Sequence, residues 1–125
     1  MTKLASQLED LQKSAQRLQE ALQEQKDDIV RDAVIKRFEF TFELTWKTLQ
    51  TTLQEEGMDF VGVKTVFRNA AKIGLIHTPE VWFTYLEARN LTTHSYDLEV
   101  AEKVYTTARE FSASVEELLT NLKRS

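Results

Sequence analysis

The sequence predicts an all-α fold, an up-and-down antiparallel helical bundle of about five helices that makes one domain of residues 1–125. Three observations carry this. Apolar residues recur at helical spacing along most of the chain. Only three Gly and one Pro occur in it, too few for a β protein, which needs turn residues at short intervals. The apolar stripes also run on well past the length of an ordinary strand.

The first helix is predicted over residues 3–25. Leu4, Leu8, Leu11, Ala15, Leu18 and Leu22 alternate in steps of four and three, an apolar seam suited to packing along a bundle. The polar stretch Gln23 to Asp28 closes it, with Asp27 or Asp28 placed to cap the next helix. That helix, residues 29–56, is the longest. Phe38, Phe40, Phe42, Leu44 and Trp46 alternate as in a strand, but the flanks continue without a turn residue. On a helical projection Ile35, Phe38, Phe42, Trp46, Leu49 and Leu53 fall within a sector of about 80°. Phe40 and Leu44 lie on nearly the opposite side, beside Arg37 and Lys47. A helix apolar on two faces is central in its own core or shared with a second chain. Phe40 and Leu44 are therefore the candidate homodimer interface.

Gly57 is the expected left-handed stop of that helix, and Met58 to Gly62 is read as a connector. Val63, Val66, Phe67, Ala70 and Ile73 have the spacing of a short helix that stops at Gly74. Thr78-Pro79 is a start signal, with Thr at the N-cap and Pro at the first helical position. Trp82, Tyr85, Leu86 and Arg89 follow on one face, so Arg89 is carried inward or towards an interface. Thr92, Thr93, Ser95 and Asp97 are better caps than helix-interior residues, and the helix is expected to weaken near Thr93. The last helix runs from about Asp97 to Lys123 on a stripe of Val100, Val104, Ala108, Phe111, Val115, Leu118 and Leu122.

Composition narrows the function classes. Apolar residues are 42% and charged residues 29% of the chain, a globular balance. The absence of Cys removes disulfides and thiolate metal sites. No run of about 18 apolar residues suggests a membrane span. The N-terminal residues lack the basic-then-apolar pattern of a signal peptide, and a cytoplasmic location is expected. The net charge of −4 gives no general attraction for nucleic acid, so RNA contact has to use a local basic patch. His77 and His94 are the only histidines and do not form a metal-binding pair. There is no Gly-rich phosphate loop or nucleophile elbow, and no cofactor is expected. The adjacent pairs Glu55-Glu56 and Glu116-Glu117 read as solvated helix surface, and His77 as a connector residue without a function.

The chemistry gathers in Arg89-Asn90-Leu91-Thr92-Thr93-His94-Ser95-Tyr96. Imidazole is the side chain suited to passing protons near neutral pH, here to or from a ribose 2′-OH or a leaving 5′-oxygen. A nearby guanidinium binds phosphate and stabilises the charge that builds in the transition state. The same two residues also fit a structural role, with Arg89 salt-bridged in the bundle and His94 capping a helix. Spacing alone leaves both open.

Two stretches add a resemblance. Residues 37–49, RFEFTFELTWKTL, and 89–96, RNLTTHSY, resemble the HEPN superfamily, in particular the small helical nucleotidyltransferase substrate-binding proteins, also viewed as toxins of HEPN–minimal nucleotidyltransferase toxin–antitoxin modules. The resemblance covers essentially the whole chain. It implies a homodimer with two Arg/His motifs meeting in a cleft, metal-independent endoribonuclease activity on RNA, and a cognate minimal nucleotidyltransferase as antitoxin. It also implies roles: Arg89 and His94 catalytic, Asn90 supporting, and Tyr96 the residue modified with AMP from ATP. A binding subunit that presents substrate to the nucleotidyltransferase without cutting RNA, and a helical scaffold without activity, are the alternatives.

Overall fold

The computed structural model describes residues 2–58 and 61–124. Five α-helices follow in order: α1 Lys3–Gln23, α2 Asp28–Glu55, α3 Gly62–Lys72, α4 Pro79–Leu91 and α5 Leu98–Arg124, with a 3-10 turn, Thr92–His94, between α4 and α5. No strand occurs among the described residues. The fold is the expected antiparallel bundle. None of the helices is long and apolar enough to cross a membrane.

Local signals set the helix ends. Asp27 caps α2, its carboxylate accepting from the Val30 N–H at 2.7 Å. Asp97 does the same for α5, accepting from the N–H groups of Glu99 and Val100 at 2.9 and 3.2 Å. Gly57 and Gly74 take φ of 72° and 81°, the left-handed conformation that costs a side-chain-bearing residue energy. Each closes a Schellman motif. Met58 N–H reaches Leu53 C=O while Gly57 N–H reaches Gln54 C=O; Leu75 and Gly74 repeat the pattern on Ala70 and Ala71.

The long helix α2 packs against all four others, which is why it needs apolar character on more than one side. Its inner face carries Phe38 and Phe42 into an aromatic cluster with Phe67, Trp82, Tyr85 and Phe111. Phe111 is the hub, with ring centroids 5.1 Å from Phe38, 5.4 Å from Tyr85, 6.0 Å from Phe42 and 6.1 Å from Trp82. Burial pushes the Tyr85 phenol above its usual range, and its oxygen is held 2.6 Å from the Ser114 hydroxyl.

Another part of α2 is buried without being apolar. Thr41, Thr45, Thr48, Thr51 and Thr52 are all buried. Each hydroxyl donates to the carbonyl four residues earlier, at 2.6 to 3.2 Å. Hydrogen-bonded threonines present their methyl groups to the packing and leave no donor unsatisfied. Thr41 also meets Ser14 of α1 at 2.6 Å. The sequence reading assigned no role to these threonines.

Three expectations need correction, those for Ile73, Trp46 and Gly62. Ile73 follows the end of α3 and is 40% exposed, because the chain turns at Gly74 before its side chain can reach the core. Thr78 takes the expected N-cap position of α4, with Pro79 opening the helix, and its side chain makes no capping bond. Trp46 is half-buried rather than a core residue, its indole N–H turned to Glu43 at 3.2 Å. Gly62, read as connector, is the first residue of α3; Asp59 and Phe60 of that connector lie outside the described residues.

Near the start of α5, Glu102 accepts hydrogen bonds from Lys26 and Arg31. The Lys26 hydrogen bond is the main reason its carboxyl is held below the usual glutamate range. Its contribution to stability is therefore present above the unfolded-state pKa and lost as pH falls through the folded one.

Candidate functional site

Helix α4 points Trp82, Tyr85 and Ala88 into the core. Arg89 follows one residue later in the last turn, 30% exposed at its side chain. The helix then tightens for a local reason. The Thr92 hydroxyl bonds the Arg89 carbonyl at 2.7 Å and that of Thr93 the Asn90 carbonyl at 3.5 Å. Such local bonds compete with continued helix. The 3-10 turn ends with the Asp97 N–H on the His94 carbonyl at 3.0 Å, and Asp97 starts α5. The expected weakening near Thr93 is thus realised as a change of helix type.

This geometry puts His94 and Tyr96 on the outside. Their rings lie edge to face, 6.1 Å apart, and Tyr96 is 86% exposed. The His94 side chain caps nothing: no hydrogen bond to its ring occurs among the described residues, in contrast to His77, whose Nε2 lies 2.6 Å from Glu117 Oε1. Asn90 is exposed, and only its backbone carbonyl takes part in the turn.

Arg89 is held from the opposite side. Its Nη2 lies 2.7 Å from Glu43 Oε1, and its guanidinium carbon sits 5.6 Å from the centroid of the buried Phe42 ring. Its Nε is buried and has no hydrogen-bond acceptor among the described residues. Glu43 Oε2 in turn accepts from the Trp46 indole N–H. The structure therefore carries Arg89 and His94 on consecutive turns without joining them by a hydrogen bond: Arg89 is tied to α2, and His94 is free towards solvent. Glu43 escaped the sequence reading as a site residue. A carboxylate at helical spacing from Trp46, on the helix with the aromatic run, was the available signal, but nothing in the sequence says that α4 lies alongside it.

The outer face of α2 borders this segment. Ser95 lines a small depression together with Asp32, Ile35, Lys36 and Glu39. One step along, Phe40 is 54% exposed, with Lys36 Nζ 5.1 Å from its ring centroid. Phe40, Leu44 and Glu43 line a groove of about 450 Å³ between α1 and α2, together with Lys13, Arg17 and Arg37. The Phe40/Leu44 face thus reaches Glu43, the residue that holds Arg89.

Comparison with known proteins places this arrangement in a family. The family model described as nucleotidyltransferase substrate binding protein like matches residues 6–124. A Haemophilus influenzae protein named probable ribonuclease HepT is 33% identical, with 77% of this chain and 72% of that protein covered. A crystal structure of a Thermus thermophilus protein superposes with a TM-score of 0.84 at 32% identity, covering 90% of this chain and 98% of that one. A second solved structure, from Haemophilus influenzae, is described as revealing the fold of a substrate-binding domain of a nucleotidyltransferase. It superposes with a TM-score of 0.73 at 28% identity, covering 96% of each chain. With the aromatic helix, the Arg89-to-Tyr96 segment and the helical order all on one chain, this protein belongs to the nucleotidyltransferase substrate-binding-like family of HEPN proteins.

Proposed function

We propose that this chain, as one HEPN domain, is a metal-independent endoribonuclease that works with a cognate minimal nucleotidyltransferase as its antitoxin. The observation that carries the reading is the turn after α4, which leaves an imidazole unencumbered at the surface one turn beyond an ordered guanidinium. In the proposed reaction the ribose 2′-OH attacks the adjacent phosphorus and the bond to the 5′-oxygen breaks. The products are a 2′,3′-cyclic phosphate and a 5′-OH. His94 takes the proton from the 2′-OH or returns one to the leaving oxygen, and Arg89 stabilises the charge on the phosphoryl oxygens. Two copies meeting through Phe40 and Leu44 supply two such histidines, one for each proton transfer; Asn90 supports the pair.

Tyr96 is the proposed switch. Its phenol oxygen attacks the α-phosphorus of ATP on the nucleotidyltransferase, pyrophosphate leaves, and the tyrosine carries AMP. The added bulk and negative charge two residues from His94 repel an RNA phosphate.

A second reading is favoured by an observation on this chain and by a similar structure. Arg89 is already ion-paired within the chain, as a structural arginine would be, and a similar Haemophilus influenzae structure is described as a substrate-binding domain. In that case the chain binds the nucleotidyltransferase and presents substrate without cutting RNA. The two separate cleanly. Purified wild type and His94→Ala are incubated with RNA in chelator, and the products are sized and tested for cyclic phosphate. The ribonuclease reading expects cleavage by the wild type and a loss of at least about 100-fold in the variant. Equal absence of cleavage, with a stable nucleotidyltransferase complex retained by both, favours the binding subunit.

A further inference from the structure

Glu43 has no part in the proton transfers above, yet its carboxylate is ion-paired to Arg89. The guanidinium reaches the site on a long, rotatable side chain from the last turn of α4. Two features restrain it: the 2.7 Å contact from Nη2 to Glu43 and the Phe42 ring at 5.6 Å. Phe42 is fully buried in the aromatic cluster and cannot move aside. Glu43 is held in turn, because both of its oxygens are engaged, one by Arg89 and the other by Trp46 three residues further along α2.

A partly exposed ion pair adds only modestly to stability, since water still screens it. What it offers is geometry. We propose that Glu43, steadied by Trp46, is a positioning residue that presets the Arg89 guanidinium for a phosphodiester of RNA. The inference rests on the ribonuclease reading for its substrate class, and goes beyond it in assigning work to two α2 residues. The physical basis is pre-organisation. A guanidinium ordered before substrate arrives need not be ordered during the reaction, and misplacement by about 1 Å can cost roughly 100-fold in rate. Glu43 also offsets part of the positive charge of Arg89, so removing it leaves a cation that binds phosphate at least as well but is poorly aimed.

This gives a signature that a purely structural pair would not. Glu43→Ala is expected to lower kcat by about 10- to 100-fold with KM unchanged or reduced. Glu43→Gln, which keeps one acceptor oxygen, recovers part of the loss, and Trp46→Phe, which removes the indole donor together with one ring of the side chain, shows a smaller fall in kcat. A lowered melting temperature with kcat within about twofold of wild type would mean that the pair is structural. A raised KM with kcat unchanged would mean that it serves binding alone. Either result overturns the proposal.

A second measurement does not depend on turnover. In the wild type the Arg89 guanidinium NMR signals should show restrained rotation and should shift when a 2′-deoxy oligonucleotide is added. In Glu43→Ala the rotation should become free. If the wild type cuts RNA no better than His94→Ala, the ribonuclease reading falls, and the clamp stands or falls on these signals. Rotation that is the same in wild type and Glu43→Ala, or no shift with the oligonucleotide, refutes it.

Discussion

At the scale of single residues, the site and the core respond in opposite ways to substitution. Phe111 contacts four aromatic rings and is fully buried, so Phe111→Ala opens a cavity in the middle of the cluster. A loss of about 3–5 kcal/mol is expected, read as a lower denaturant midpoint with an unchanged slope. Tyr96 is the contrary case. It touches little besides the His94 ring, and Tyr96→Phe should leave stability within about 0.5 kcal/mol. The same change removes the phenol oxygen, so AMP transfer from ATP by the cognate nucleotidyltransferase should vanish, as mass spectrometry of the purified chain would show. Transfer that persists on Tyr96→Phe would move the modification elsewhere. Both residues stood out in the sequence, Phe111 by its place in an unbroken stripe and Tyr96 by its place beside His94. Glu43 did not, because its importance comes from a partner 46 positions along the chain.

At the scale of elements, the helices and their ends follow from local chemistry. Asp27, Asp97, Gly57 and Gly74 act within a few residues of themselves, which is why their roles were legible before any packing was known. Gly57 offers a direct check. An added Cβ would meet nothing within 4 Å, so Gly57→Ala probes the left-handed backbone alone. It should destabilise the protein by about 1 kcal/mol, with Gly57→Asn losing less; equal stability of all three in urea would show that the cap contributes nothing. The turn at Thr92–His94 obeys the same logic, since two threonine hydroxyls bond carbonyls three residues back. The departures also have local causes. Ile73 satisfies the periodicity of α3 but comes after its last turn, and a helical pattern does not reveal the residue at which a glycine cap reverses the chain.

At the scale of the whole molecule, the organising fact is that α2 meets every other helix and still leaves Phe40 half exposed. We read that face as the homodimer contact. Replacing Phe40 and Leu44 together by Glu should give a monomer in sedimentation velocity with helix content unchanged, and with cleavage lost if two histidines share the work; an unchanged assembly would sink this reading. The sequence by itself determined the all-α class, the helical order, most of the caps and the Arg89-to-Tyr96 segment, because periodicity and capping depend on neighbours a few residues away. Only the tertiary structure decided that the α2 threonines are buried, that Trp46 turns to Glu43, and that Arg89 is ion-paired to Glu43 while His94 is exposed. Helical periodicity states the angle of a side chain about its own axis. It does not state which helix lies opposite, nor how far that helix has slid or turned, and those two quantities bring Glu43 to Arg89.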